Sequence, residues 1–216
     1  MNRRCYIAGA GEFDENVQPG NGDFIIAADG GYVSLASIGV TPDLIVGDFD
    51  SIPSGLMGAV LGHPGVMRTP SEKDDTDMML AVNQGLERGF KEFIINGGLG
   101  GRLDHTLANV QTLTYLAQKG ARGVLTGREI SITAIKDSKI MLSPDKKINS
   151  TVSVFSAGDK AEGVTLKGLK YPLSNATVTK EFPIGVSNET IGQVADISVE
   201  KGTLIITYDG RHISIC

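Results

Sequence analysis

Leu44-Ile45-Val46-Gly47-Asp48-Phe49-Asp50-Ser51 runs a short apolar stretch directly into two carboxylates and a turn signal. If the chain stays extended here, Asp48 and Asp50 point to one side and Phe49 to the other, so the two acids can share one hard cation. A second acidic run follows at Lys73-Asp74-Asp75-Thr76-Asp77. Read as the start of a helix over Asp74–Arg88, it sets Asp74 and Asp77 on one face. Like charges about 4 Å apart repel by roughly 4 kcal/mol at an effective dielectric near 20, which opposes bringing the two runs together without a cation. All-oxygen ligands select Mg2+, Mn2+ or Ca2+ over zinc. Taken alone, Asp74, Asp75 and Asp77 read equally as solvated charges that suit a helix N-terminus. Asp48 and Asp50 differ, because the carboxyl end of a buried strand is where open α/β sheets bind ligands.

Asn96-Gly97-Gly98-Leu99-Gly100-Gly101-Arg102-Leu103-Asp104 puts a glycine-rich turn between a strand and a helix. Bare glycines let backbone N–H groups approach an anion, the helix N-terminus adds positive potential, and Arg102 offers a phosphate two donors. The alternative reading is a tight turn. No Gly-Lys-Ser/Thr follows, the spacing is not that of a dinucleotide fingerprint, and Gly9-Ala10-Gly11 is only a partial match. Ala27-Ala28-Asp29-Gly30-Gly31 is another strand end with an acid and two glycines, open between a turn and a ligand contact. Convergence of these strand ends, more than any one motif, argues for a metal-phosphate site. His63 and His105 have no partner at metal-ligand spacing and read as structural.

The elements that must position these residues follow from periodicity. To about Thr126 the pattern is strand, turn, helix, repeated, with strands at Cys5–Ala8, Phe24–Ala28, Leu44–Val46, Val66–Arg68, Phe93–Asn96 and Gly123–Leu125. Helices are expected near Gly31–Ile38, Ser54–Leu61, Asp74–Arg88 and Leu103–Lys119; the last carries a stripe of Leu103, Leu107, Val110 and Leu113 and is stopped by Gly120. Short apolar strands alternating with helices predict a doubly wound, mostly parallel sheet covered on both faces. After Gly127 the period changes to two, at Ile130–Ile135, Thr151–Phe155 and Asp196–Glu200, with Lys201-Gly202 as a two-residue turn into Thr203–Tyr208. This predicts an all-β half, a sandwich or barrel, with the boundary near Thr126–Glu129 and domains over 1–126 and 127–216.

A net charge of −5 and scattered basic residues argue against a nucleic-acid partner. Cys5 and Cys216, the only cysteines, form neither a disulfide framework nor a thiolate metal site, so a reducing cytoplasm is expected. The apolar run after Met1-Asn2-Arg3-Arg4 is broken by Gly9, Gly11 and Glu12 and is too short to target the chain or span a membrane.

Asp29-Gly30-Gly31, Gly47-Asp48-Phe49-Asp50-Ser51, Lys73-Asp74-Asp75-Thr76-Asp77 and Gly97-Gly98-Leu99-Gly100-Gly101-Arg102-Leu103-Asp104-His105 resemble, in order, the successive signatures of the thiamine pyrophosphokinase family. Gly185-Val186-Ser187-Asn188-Glu189 is similar to that family's thiamine-contacting turn. The resemblance implies transfer of a pyrophosphoryl group from ATP to the hydroxyl of thiamine, giving thiamine diphosphate and AMP. It also implies an α/β N-terminal domain, a β-sandwich C-terminal domain, and a homodimer with composite active sites.

Carried over, Asp48, Asp50 and Asp74 or Asp77 hold Mg2+; Asp29, Lys73, Thr76, Asp77, Arg102 and Asp104 surround ATP or the reacting hydroxyl; and Ser187 and Asn188 contact thiamine. Asp77 is the acid expected to orient or deprotonate the hydroxyl. The chain has no tryptophan, and Tyr171 stands where animal members of the family place one. Two rival readings compete: a Mg-dependent phosphatase or phosphotransferase with an aspartyl nucleophile, which would leave a phospho-aspartate, and a non-catalytic nucleotide- or thiamine-sensing module, which would release no AMP.

Overall fold

The computed structural model describes residues 3–70, 72, 74–145 and 149–215 and divides into two compact units. Unit 1 holds residues 1–112 and 125–127; unit 2 holds 113–124 and 128–216. Lys73 and Cys216 lie outside the described residues.

In unit 1, β1 (Cys5–Ala8), β2 (Phe24–Ala28), β3 (Leu44–Gly47), β4 (Val66–Arg68) and β5 (Glu92–Asn96) pair in parallel in the order β5-β1-β2-β3-β4; β6 (Arg122–Thr126) is divided between the two units. Every residue of β1 and β3 is buried, as strands covered on both faces require. One face packs Tyr6, Ala8, Ala27 and Ile45 against Leu35 of α1 (Gly31–Ser37) and Val60 of α2 (Ser54–Leu61). The opposite face receives α3 (Asp77–Glu87), where Gly85 lets the helix settle: a Cβ there would meet the Phe93 ring at 2.5 Å and Cys5 Sγ at 2.9 Å. Strands run outward from β1 through β2, β3 and β4, while β5 lies on its other side, so the order reverses between β1 and β5. Such a reversal opens the crevice in which doubly wound sheets bind ligands.

Helix α3 starts at Asp77, three residues later than the expected Asp74, because Thr76 takes the cap position and its Oγ1 accepts from Met79 N at 3.1 Å. Asp74 and Asp77 therefore do not share a helical face. α4 (Leu103–Gln118) is where expected, but its apolar stripe is only partly buried. Leu113 is inside, whereas Leu103 and Leu107 are 72% and 59% exposed, and Asn109 and Thr112 take the buried places. Among the described residues no helix is long and apolar enough to cross a membrane.

Unit 2 is a β-sandwich. One antiparallel sheet has the order β12-β9-β14-β7, the other β11-β10-β13-β8-β15. They comprise β7 (Ile130–Lys136), β8 (Lys139–Pro144), β9 (Thr151–Ser156), β10 (Lys160–Lys167), β11 (Leu173–Thr179), β12 (Asn188–Glu189), β13 (Ala195–Ser198), β14 (Thr203–Asp209) and β15 (Ile213–Ile215). Inward residues of both sheets, among them Val154, Leu204 and Ile206 from one and Leu142, Val164 and Ile197 from the other, form one core. The Lys201-Gly202 turn does not close a hairpin: β13 pairs with β10 and β8, and β14 with β7 and β9. The chain changes sheets there, and Gly202 (φ +114) has its N–H bonded to Asp137 Oδ1 at 2.7 Å.

Candidate active site

Asp29 follows β2 in a left-handed conformation (φ +46), with its N–H bonded to Val46 O at 2.7 Å. Gly47 makes room for it, since a Cβ at Gly47 would sit 3.0 Å from Asp29 Cα. The Ser51 hydroxyl donates to Asp29 Oδ2, while Oδ1 is buried and has no hydrogen-bond partner among the described residues. A buried carboxylate oxygen without a donor is costly unless a cation completes it.

Asp48 and Asp50 reach the same place, though not by strand alternation. β3 ends at Gly47, and Phe49 turns the chain with φ +70 while its ring is almost wholly buried among Tyr6, Leu35, Ile45 and Val60. The bend is closed by Asp50 N donating to Asp48 Oδ1 at 3.3 Å. Carboxylate oxygens of Asp29, Asp48 and Asp50 all lie within 4.8 Å of one another. Asp48 above all, with desolvation and then Asp29, raises the Asp50 pKa, and the charge of Asp77 contributes in the same direction. Asp74 and Asp75 lie exposed before the helix, and the triad does not include them.

The glycine-rich loop is built by backbone contact. Gly9 N, Gly11 N and Glu12 N donate to the carbonyls of Asn96, Gly97 and Leu99, each at 2.7 Å, and Asn109 Nδ2 donates to Gly98 O at 2.7 Å. Gly97 (φ +80) permits this: a Cβ there would lie 2.4 Å from Gly9 O. Among the described residues nothing accepts from the N–H groups of Gly97 through Gly101. The loop thus spends its carbonyls inward and keeps its amides, an arrangement that suits an anion. At its end Arg102 forms a two-pronged ion pair with Asp104, Nη2–Oδ2 at 2.6 Å and Nε–Oδ1 at 3.2 Å. The pairing raises the Arg102 pKa and lowers that of Asp104. His105 N also donates to Asp104 Oδ1, at 3.0 Å, and His63 Nδ1 accepts from Gly65 N at 3.0 Å.

In unit 2, Ser187 is exposed with φ +57, its N–H on Ser153 Oγ at 3.0 Å. Asn188 is only 3% exposed. Its Oδ1 accepts from the N–H groups of Tyr171 and Glu189, both at 2.9 Å, and its Nδ2 donates to Tyr171 O at 2.7 Å.

Comparison with known proteins matches residues 20–125 to the family described as thiamin pyrophosphokinase, catalytic domain, and residues 137–204 to thiamin pyrophosphokinase, vitamin B1 binding domain. Thiamine pyrophosphokinase of Bacillus subtilis (strain 168) is 32% identical over 182 residues, which cover 84% of this chain and 85% of that protein. The chain belongs to the thiamine pyrophosphokinase family. Among solved structures, the Bacillus subtilis thiamine pyrophosphokinase superimposes with a TM-score of 0.83 at 28% identity, covering 96% of this chain and 99% of that one. A family protein from Enterococcus faecalis gives 0.82 at 27% with the same coverage. Thiamin pyrophosphokinase from Candida albicans shares the fold at 17% identity, with a TM-score of 0.80 and coverage of 96% and 89%.

Of the thiamine pyrophosphokinase signature residues, Asp29, Asp48 and Asp50 converge, Asp77 adds its charge to those that raise the Asp50 pKa, Arg102 and Asp104 bind each other, and Thr76 caps a helix. Asn188 serves the main chain of Tyr171 rather than offering its carboxamide outward. Sequence reasoning missed the buried Asn96, whose Nδ2 donates to Tyr6 Oη (2.9 Å), Asp14 O (2.8 Å) and Val17 O (3.0 Å) and whose Oδ1 accepts from Asp14 N (2.9 Å). Its one visible signal was a polar side chain at the end of an apolar strand.

Proposed function

We propose that this protein transfers the pyrophosphoryl group of ATP to the hydroxyl of thiamine, releasing AMP and thiamine diphosphate. The observation that carries this reading is the carboxylate triad Asp29, Asp48 and Asp50, within 4.8 Å at the carboxyl edge of the sheet in a chain of this family. The donor set fits Mg2+: it is all oxygen, one oxygen of Asp29 is buried without a partner among the described residues, and Asp50 is strained by like charges. Asp48, Asp50 and Asp29 would hold the ion, with Asp77 beside them; Asp74, carried over by resemblance, lies outside the triad. When bound, it supplies charge neutralisation to the polyphosphate oxygens.

Attack on the β-phosphorus builds charge on phosphate oxygens, and the chain contributes position and compensating charge. The free amides of Gly97–Gly101 and the Arg102 guanidinium take the phosphates, which requires Arg102 to exchange Asp104 for its anionic ligand. Asp77 orients the thiamine hydroxyl and accepts its proton. Lys73 enters as a nucleotide contact by resemblance alone. Residues 1–126 form the ATP- and Mg-binding half, and 127–216 the thiamine-binding half, with Ser187 at the thiamine turn and Asn188 behind it.

The working unit is a homodimer with active sites drawing on both chains, a reading supported by the exposed apolar side chains of Tyr171, Phe182, Ile184 and Ile191. It works in the cytoplasm, where the buried thiol of Cys5 stays reduced. Incubation with ATP, Mg2+ and thiamine should give AMP and thiamine diphosphate in equal amounts. ADP or free phosphate in place of AMP would overturn the reading.

A further inference from the structure

Four consecutive carbonyls, those of Asn96, Gly97, Gly98 and Leu99, each accept a 2.7 Å hydrogen bond from behind the loop. Three of those donors are backbone N–H groups of Gly9, Gly11 and Glu12; the fourth is the side chain of Asn109, itself 8% exposed on α4. Backbone alone therefore cannot hold the middle of the loop. Gly98 is shaped to accept this donor: a Cβ on it would touch Asn109 Nδ2 at 3.4 Å and Leu125 Cδ1 at 2.9 Å. The donor segment Gly9–Glu12 is in turn tied down by Asn96, which is fully buried and binds Asp14, Val17 and Tyr6.

We propose that Asn109 and Asn96 are positioning residues for the nucleotide phosphates. Their carboxamides hold the loop with its carbonyls turned inward, so that the N–H groups of Gly97–Gly100, on the same peptide planes, face an incoming anion already ordered. A peptide plane that loses its inward bond can rotate and present a carbonyl oxygen to the phosphate, replacing attraction by repulsion. Ordering the loop in advance removes an entropy cost that ligand binding would otherwise bear. Neither side chain touches substrate. The inference rests on the reading that this loop takes the phosphates of ATP.

The test compares wild type, Asn109→Ala and Tyr6→Phe, the last removing one partner of Asn96 without opening a cavity. Steady-state KM for ATP and for thiamine, kcat, and calorimetric affinity for inorganic pyrophosphate with Mg2+ are measured, together with hydrogen exchange across 97–101. Asn109→Ala should raise KM for ATP and weaken pyrophosphate binding about five- to tenfold, with KM for thiamine within about twofold. Exchange in the loop should quicken. Tyr6→Phe should move the same quantities in the same direction by about twofold. A lowered unfolding midpoint with unchanged ATP and pyrophosphate constants in folded Asn109→Ala would sink the proposal, as would an unmoved Tyr6→Phe if Asn109→Ala fails to fold. Wild type that binds pyrophosphate but makes no AMP would instead refute the proposed function and leave the loop argument standing.

Discussion

Phe49 does two things at once, and replacing it separates them. Its ring is 2% exposed within the apolar cluster under α1 and α2, and its backbone holds a left-handed turn at φ +70 that swings Asp50 toward Asp48 and Asp29. Truncation of a buried Phe to Ala costs about 3–5 kcal/mol, and the left-handed conformation costs a side-chain-bearing residue about 1–2 kcal/mol that Gly escapes. At an ordinary position Gly is worse than Ala by roughly 0.5–1 kcal/mol because it frees the unfolded chain. Here the two backbone effects oppose, so Phe49→Gly should be no less stable than Phe49→Ala, and both should fall about 3–5 kcal/mol below wild type. Phe49→Leu keeps most of the burial and should lose about 1–2 kcal/mol. Because the chain divides into two compact units, a single global melting midpoint is a poor measure, and urea-dependent hydrogen exchange of peptides spanning 44–60 is the appropriate one. Repeating it with Mg2+ asks whether the acids still converge: Phe49→Leu should retain the cation's stabilising effect and Phe49→Ala should lose most of it. A Phe49→Ala protein clearly more stable than Phe49→Gly would refute the claim that the turn is strained. An Mg2+ effect undiminished in Phe49→Ala would refute the claim that Phe49 aims the carboxylates.

Asp48→Asn and Asp50→Asn should each abolish AMP formation while the thermal unfolding midpoint holds or rises in metal-free buffer, since each removes one of several like charges; activity retained at limiting Mg2+ would exclude the pair as ligands. The raised Asp50 pKa has a definite sign. An acid whose folded pKa exceeds its unfolded one favours the fold at low pH, so unit 1 without metal should lose stability as pH rises through the carboxylate range, and Mg2+ or Asp50→Asn should flatten that slope in pH-dependent melts. Arg102→Ala should raise KM for ATP or lower kcat, leaving KM for thiamine and the melting midpoint unchanged because its ion pair is solvent-exposed; an effect on thiamine alone would contradict the phosphate assignment.

The edges of β1, β2 and β4 and of α2 coincide with the sequence reading; β2 lies between Asp23 and Asp29 and α2 between Pro53 and Gly62, while β1 ends at Gly9 and β4 begins after Gly65. The acid cluster was legible as residues but not as geometry. Alternation along a strand was the expected cause, whereas a buried aromatic in a left-handed turn is the actual one, and no local pattern announces that Phe49 adopts it. β10 went unread because Gly163 and a register shift between Ala161 and Val164 break its alternation, and β11 because it is an exposed edge strand with little apolar content. Asn96 and Asn109 could not be assigned from sequence for a different reason. Asn96 meets its partners 79 to 90 positions away, and Asn109 meets Gly98 only once helix and loop have both formed.

The pairing of β1 with both β2 and β5 also imposes a timetable. Cys5 meets Phe24 on one side and Phe93 on the other, so during synthesis the first flank of β1 is covered after some twenty residues while the second waits for a strand almost seventy residues later. At about 5–20 residues per second that wait lasts roughly 3–14 s. For those seconds a four-residue, fully apolar strand has one row of amides and carbonyls with no sheet beside it. Such an edge invites pairing with another nascent chain. Its short length and the glycines at 9 and 11, which deny an incoming strand a longer regular ladder, are what the chain offers against that pairing before Glu92–Asn96 arrives.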